Sequence, residues 1–145
     1  MKKIIWLPII LMFLACLACD DTEGEGGGGL QPGNSDPLIV EGFICAAVDD
    51  GKPVAIDNDF FQDDPVYIWL SWEQVTGEHQ VKIIWVDPDD DIVTETTSNF
   101  DSRNGKWITF YYIDTTSSSQ TGKWLAEVYI DGAFVRSYAF WLSED

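Results

Sequence analysis

A chain of 145 residues holds one domain plus appendages, and 46% hydrophobic residues, 14% of the chain being aromatic, are enough for a packed core. Its balance of 8 basic to 25 acidic residues argues against nucleic acid, because affinity for phosphate backbones rests on clustered Lys and Arg. The same excess disfavours electrostatic docking on anionic lipid headgroups and says nothing about fold.

The N-terminus reads as an address. Lys2 and Lys3 form a positive region, and residues 4–18 are uncharged and mostly apolar. That run falls short of the ~20 residues a spanning helix needs, and Pro8 interrupts it, so it fits a signal-peptide hydrophobic region. It closes on Leu14-Ala15-Cys16-Leu17-Ala18-Cys19, with Asp20 and Asp21 following at once. This ending resembles the lipobox of bacterial lipoproteins, in which a small residue precedes the Cys that is acylated after cleavage. The resemblance implies Cys19 as the lipidated residue, since Ala18 precedes it and the polar chain starts directly after. Cys16, preceded by Ala15, is the alternative acceptor, and an ordinary cleaved signal is the alternative to an anchor. A lipid anchor implies an extracytoplasmic place in the bacterial cell envelope, with inner or outer membrane left open.

Residues 19–37 are acidic and Gly-rich, with the run Gly26-Gly27-Gly28-Gly29 and one isolated Leu30. Such a segment buries too little surface to offset ordering entropy and reads as a tether spanning about 20–25 Å. It is no phosphate loop, because no Lys-Ser/Thr pair follows it.

From residue 38 to residue 145 the composition is that of a folded domain. Strands are expected over 38–48, 66–75, 79–86, 92–97, 106–113, 123–130 and 133–142, and no stretch sustains a helical period. Seven strands joined by Gly, Asp, Asn and Ser predict an all-β, single antiparallel sandwich. The clearest signal is Asp131-Gly132 between two β-rich runs, a type I′ hairpin turn that places Trp124, Ala126, Val128 and Ile130 on one face. Thr76-Gly77-Glu78 predicts a second short hairpin, joining strands 66–75 and 79–86. Both faces of 106–113 are apolar: Trp107, Thr109, Tyr111 and Ile113 against Lys106, Ile108, Phe110 and Tyr112. The long connection 49–64 carries a turn at Asp50-Gly51-Lys52-Pro53, and its Phe60-Phe61 pair is expected to plug one end of the sandwich.

Candidate chemistry is sparse. A single His, His79, leaves no His-based triad or paired-His metal motif, and a structural role suits it at a strand start. No nucleophile elbow or nucleotide-binding glycine pattern occurs, so no catalytic residue and no cofactor is expected. Cys45 lies in an apolar run and reads as a small buried hydrophobe. Asp87, Asp89 and Asp91 have the spacing that opens a calcium loop, but Ile92 stands where that loop needs Gly and Ser98 where it needs Glu. A solvated turn after Pro88 is the plainer reading. Among the aromatics, Trp72, Trp85, Trp107 and Trp124 alternate with aliphatic residues as core residues do. Tyr67 with Trp69, and Trp141, are left to face outward.

Trp85 on a third expected strand resembles the core Trp of immunoglobulin-type sandwiches, without the cystine that accompanies it there. The ending from Gly122 to Phe140, with Trp124, Glu127-Val128-Tyr129 and Asp131-Gly132, is similar to that of small β-sandwich modules in exported bacterial proteins. So are Trp85-Val86-Asp87-Pro88-Asp89 and the stretch from Cys45 to Val54. The likeness implies an immunoglobulin-like architecture and no transferable catalytic residue. The expected function is therefore a non-catalytic, lipid-anchored binding or assembly module of the envelope. It would meet a protein partner at an unpaired edge such as 38–48 or 133–142, or a carbohydrate at Tyr67 and Trp69.

Overall fold

The computed structural model describes residues 37–144, apart from the side chains of residues 102–104. Cys16, Cys19 and the tether lie outside the described residues. Seven strands follow one another: β1 (Leu38–Asp49), β2 (Lys52–Ile56), β3 (Asp59–Phe61), β4 (Pro65–Val86), β5 (Ile92–Asp114), β6 (Gly122–Ile130) and β7 (Ala133–Ser143). The all-β expectation holds. The division into strands does not: 66–75 and 79–86 are two limbs of β4, while 92–97 and 106–113 are two limbs of β5.

The reason is visible at residues 73–77. Two register shifts, between Glu73 and Val75 and between Val75 and Gly77, mark the β4–β5 ladder there. Gln74 and Gly77 take φ of 60° and 85°. These irregularities bend the strand and re-aim its side chains without ending its pairing. Thr76-Gly77-Glu78 is thus a bend and no hairpin, because both limbs of β4 pair with β5 along its length.

β4 is the spine. One edge carries β5 throughout; the other carries β1 at Tyr67–Glu73 and then β6 at Val81–Val86. The strand path runs β2-β1-β4-β6-β7-β3, antiparallel except where β3 joins β7 in parallel, and β5 hangs from β4 alone. All strands therefore belong to one hydrogen-bonded sheet that curls over itself, where two separate sheets were expected.

The curl closes around one core. Ile68, Leu70 and Trp72 from the first limb of β4 meet Val81, Ile83 and Trp85 from the second, with Trp124, Ala126, Val128 and Phe140 from the last hairpin. Burying Leu, Ile and Val side chains contributes ~1.5–3 kcal/mol each, which is what holds the curl. Asp131 and Gly132 have φ of 49° and 83°, the two positive values a type I′ turn requires, so this hairpin forms as its residues predict. β7 also lies against β1: a Cβ on Gly42 would fall on the Tyr138 ring, so only glycine admits that contact. Phe60 is buried and packs edge-on to Phe140 at 6.0 Å between ring centres, whereas Phe61 is exposed; strand alternation splits the pair that was expected to plug the end together.

Candidate functional site

Tyr67 and Trp69 do lie on the outer face, on β4, but they form no open platform. The register sets Phe43, Trp69 and Phe110 in one row across β1, β4 and β5, and Cys45, Tyr67 and Tyr112 in the next. Trp69 stacks with Phe43 at 6.0 Å, donates its indole N–H to the Gly51 carbonyl at 2.8 Å, and is only 6% exposed. The β1–β2 turn folds over it. Tyr67 is half-buried and stacked on Tyr112 at 5.2 Å.

The exposed aromatic surface sits one strand further along, on β5. Ile108, Phe110 and Tyr112 are each about half exposed. Trp107, placed in the core by its alternation, is 41% exposed and stacks on Phe100 at the bend, where the curl leaves its inner side uncovered. Trp141 is exposed, as its position predicts, while Trp72, Trp85 and Trp124 are core residues. The signal for this surface was in the sequence, in the two apolar faces of 106–113.

β5 also supplies an open edge. Among the described residues it pairs with β4 alone. The strands first expected to be open are each covered in part, β1 by β2 from Cys45 to Asp49 and β7 by β3 from Trp141 to Ser143. Because β5 bends with β4, its limbs face each other across a groove of about 640 Å³, lined by Val93, Thr94 and Thr96 on one side and Phe110 to Asp114 on the other. Ser98 and Tyr111 tie the limbs through a hydroxyl–hydroxyl hydrogen bond of 2.6 Å. Burial pushes the Tyr111 phenol above its ordinary value, so this pair stays neutral at physiological pH. The groove offers hydroxyls, aromatic faces and one carboxylate, Asp114.

Asp87 and His79 serve the structure. Asp87 accepts hydrogen bonds from the Asp89 and Asp91 amides at 3.0 Å each and so caps its own turn. No group of three or more His, Cys, Asp or Glu side chains fit to hold a metal ion occurs among the described residues. His79 is buried with Nδ1 2.7 Å from Asp131 and Nε2 3.2 Å from the Thr76 carbonyl, locking the last hairpin turn to the β4 bend. Burial would raise the Asp131 carboxyl, but the Gln80 amide and His79 together hold it below the ordinary value. Cys45 is fully buried, and that burial raises its thiol. No helix among the described residues is long and apolar enough to cross a membrane.

This arrangement is that of an all-β domain whose sheet is curled and leaves its longest strand, β5, paired on one side only. No protein-family model matches the chain, and no curated protein matches it. Among solved structures it is similar to the C-terminal domain of wzt, with a TM-score of 0.55 and 11% identity over 75% of this chain and 74% of that one. At that identity the likeness concerns the fold. Looser superpositions are found with an immunoglobulin-like protein from Pseudomonas aeruginosa (TM-score 0.47, 10% identity, 77% of this chain and 99% of that one). Another is the Pseudomonas fluorescens alkylpurine DNA glycosylase AlkC bound to DNA containing an abasic site analog (TM-score 0.41, 10% identity, 70% and 30%). Neither of the latter two bears on function.

Proposed function

We propose that this chain is a non-catalytic, immunoglobulin-like binding or assembly module, lipid-anchored through Cys19 on the extracytoplasmic side of the bacterial envelope. Its partner docks at β5. The observation that supports this is the open edge of β5, 23 residues long and flanked by exposed Ile108, Phe110 and Tyr112. Soluble proteins normally shield such an edge with charges, prolines or a covering loop, because its free N–H and C=O groups template another strand. An extended segment added there gains main-chain hydrogen bonds from the edge and side-chain contacts from the aromatic row.

The test is a crosslinking pull-down from membranes with three forms: the native chain, Cys19→Ala, and a triple variant with Ile108, Phe110 and Tyr112 each changed to Lys. A defined envelope protein is expected with the native chain, reduced with Cys19→Ala and lost with the triple variant. Equal recovery in the native and triple forms would remove β5 from the interface. A second reading, carbohydrate binding, is favoured by the exposed rings of Phe110 and Tyr112 next to Tyr67. It requires a glycan-dependent change in tryptophan emission from Trp69, which lies beside Phe110 in the register, and loss of that response in Trp69→Ala.

A further inference from the structure

Resting on that reading of β5 as the docking edge, we infer that the strand it takes is β5 of a second copy, paired antiparallel about a two-fold axis through Phe110. The pattern of the outer face carries this. Lys106, Ile108, Phe110, Tyr112 and Asp114 alternate along the open limb and are all exposed. A two-fold axis perpendicular to the sheet keeps outer faces together, so each outer residue meets an outer residue of the other copy. Centred on Phe110, the pairing sets Lys106 opposite Asp114 at both ends, Ile108 opposite Tyr112 twice, and Phe110 opposite itself.

Charge complementarity selects this register. Moving the axis to Thr109 sets Lys106 opposite Tyr112, and moving it to Tyr111 sets Asp114 opposite Ile108; either takes Lys106 and Asp114 away from each other and forfeits the opposite-charge pair. Directly opposed residues lie ~4.5–5.5 Å apart, close enough for opposite charges to attract and like charges to repel. Lys106 already lies 3.1 Å from Glu73 on its own chain. An ammonium has three donors, so that ion pair persists while Lys106 also reaches the second copy's Asp114. On the inner side Thr109 meets Tyr111 and Trp107 meets Ile113.

The geometry also ends the assembly. An isologous pairing uses the same edge in both copies, so it closes at two and leaves that limb of β5 no longer exposed. Repulsion between two chains of net charge −17 opposes the approach, but salt screens it beyond ~8 Å at physiological ionic strength.

Four forms of the full chain in non-ionic detergent test the inference by light-scattering mass across a dilution series: native, Lys106→Glu, Asp114→Lys, and the two combined. Both positions are exposed, so near-ultraviolet circular dichroism is expected to show the same fold in all four. Each single change places like charges opposite one another twice, and about a tenfold or greater loss of self-affinity is expected. The exchanged pair restores the dimer. A native chain that stays monomeric, or singles and double that behave alike, would overturn the inference. A monomer that still captures an envelope protein through Ile108, Phe110 and Tyr112 would leave the docking edge standing with a different partner. A dimer with no other partner would retire the envelope-protein reading instead.

Discussion

Trp72 and Trp85 are both fully buried in the same core, yet their indole N–H groups fare differently. Trp72 donates to the Thr109 hydroxyl at 2.9 Å, while Trp85 Nε1 finds no acceptor among the described residues. A buried donor without a partner costs ~1–3 kcal/mol, and a phenyl ring removes that donor along with part of the ring volume. Trp72→Phe is therefore expected to destabilise the domain about 1–3 kcal/mol more than Trp85→Phe in urea unfolding, since both lose similar volume and only the first loses a hydrogen bond. Cys45 makes a simpler case. Burial keeps its thiol protonated and shielded, so iodoacetamide is expected to leave it unmodified in the native domain and to label it fully in denaturant. Asp131 sets a pH dependence with a definite sign. Its folded value lies below the ordinary 3.8, so the carboxylate contributes stability above that value and loses it as pH falls through the folded one. The stability gap between the native chain and Asp131→Asn should be steady near neutral pH and shrink below about 3.8. It should be small, because the side chain is half exposed.

Strands meet at contacts that no single strand specifies. Gly42 on β1 and Tyr138 on β7 touch so closely that Gly42→Ala forces the ring aside, with an expected cost of about 1–3 kcal/mol. Pairing it with Tyr138→Leu should recover part of that loss in a double-mutant cycle; full additivity would mean that the two do not share the contact. The last hairpin shows local and tertiary preferences in agreement. Its Asp131-Gly132 turn has the dihedral angles a two-residue connection needs, and the Asp131 carboxylate also binds the Gln80 amide at 2.9 Å across the strand boundary. β4 shows them at odds, since the Thr76-Gly77-Glu78 turn signal is answered by a bulged bend. With β5 on one side and β1 then β6 on the other, the strand gains more from continuous pairing than from folding back on itself.

For the whole molecule, the topology protects β4 along both edges and β5 along one. Amides of β4 bond on both sides, whereas half of those on β5 point away from the sheet. Hydrogen exchange is expected to be slowest along Val81–Val86 and to alternate fast and slow along β5. With the two-fold pairing, protection at 106–114 will rise with protein concentration while the alternating pattern at 92–97 stays unchanged. Uniform slow exchange along the whole of β5 would contradict an open edge. The acidic surface acts at this scale too, keeping the exposed aromatic limb from unspecific association while permitting a contact whose charges match locally.

Much of this was written locally. Alternation alone places Trp124, Ala126, Val128 and Ile130 in the core, and Asp-Gly alone places the last turn, because period-two patterning and positive-φ preference act over a few neighbouring residues. Trp85 is buried for the same reason, whereas Cys45 shares the outer row of Tyr67 and is buried there all the same. Whether an outward residue is open to water depends instead on what another strand lays over it. Trp69 is outward by its period and covered by Phe43 and the Gly51 turn, residues brought to it only by β1 pairing. Trp107 is inward by its period and exposed because the curl leaves that side of the bend uncovered. The single curled sheet and the open edge of β5 are decided the same way. Strand pairing is a contest among segments far apart in sequence, and only the folded chain settles which edge is left without a neighbour.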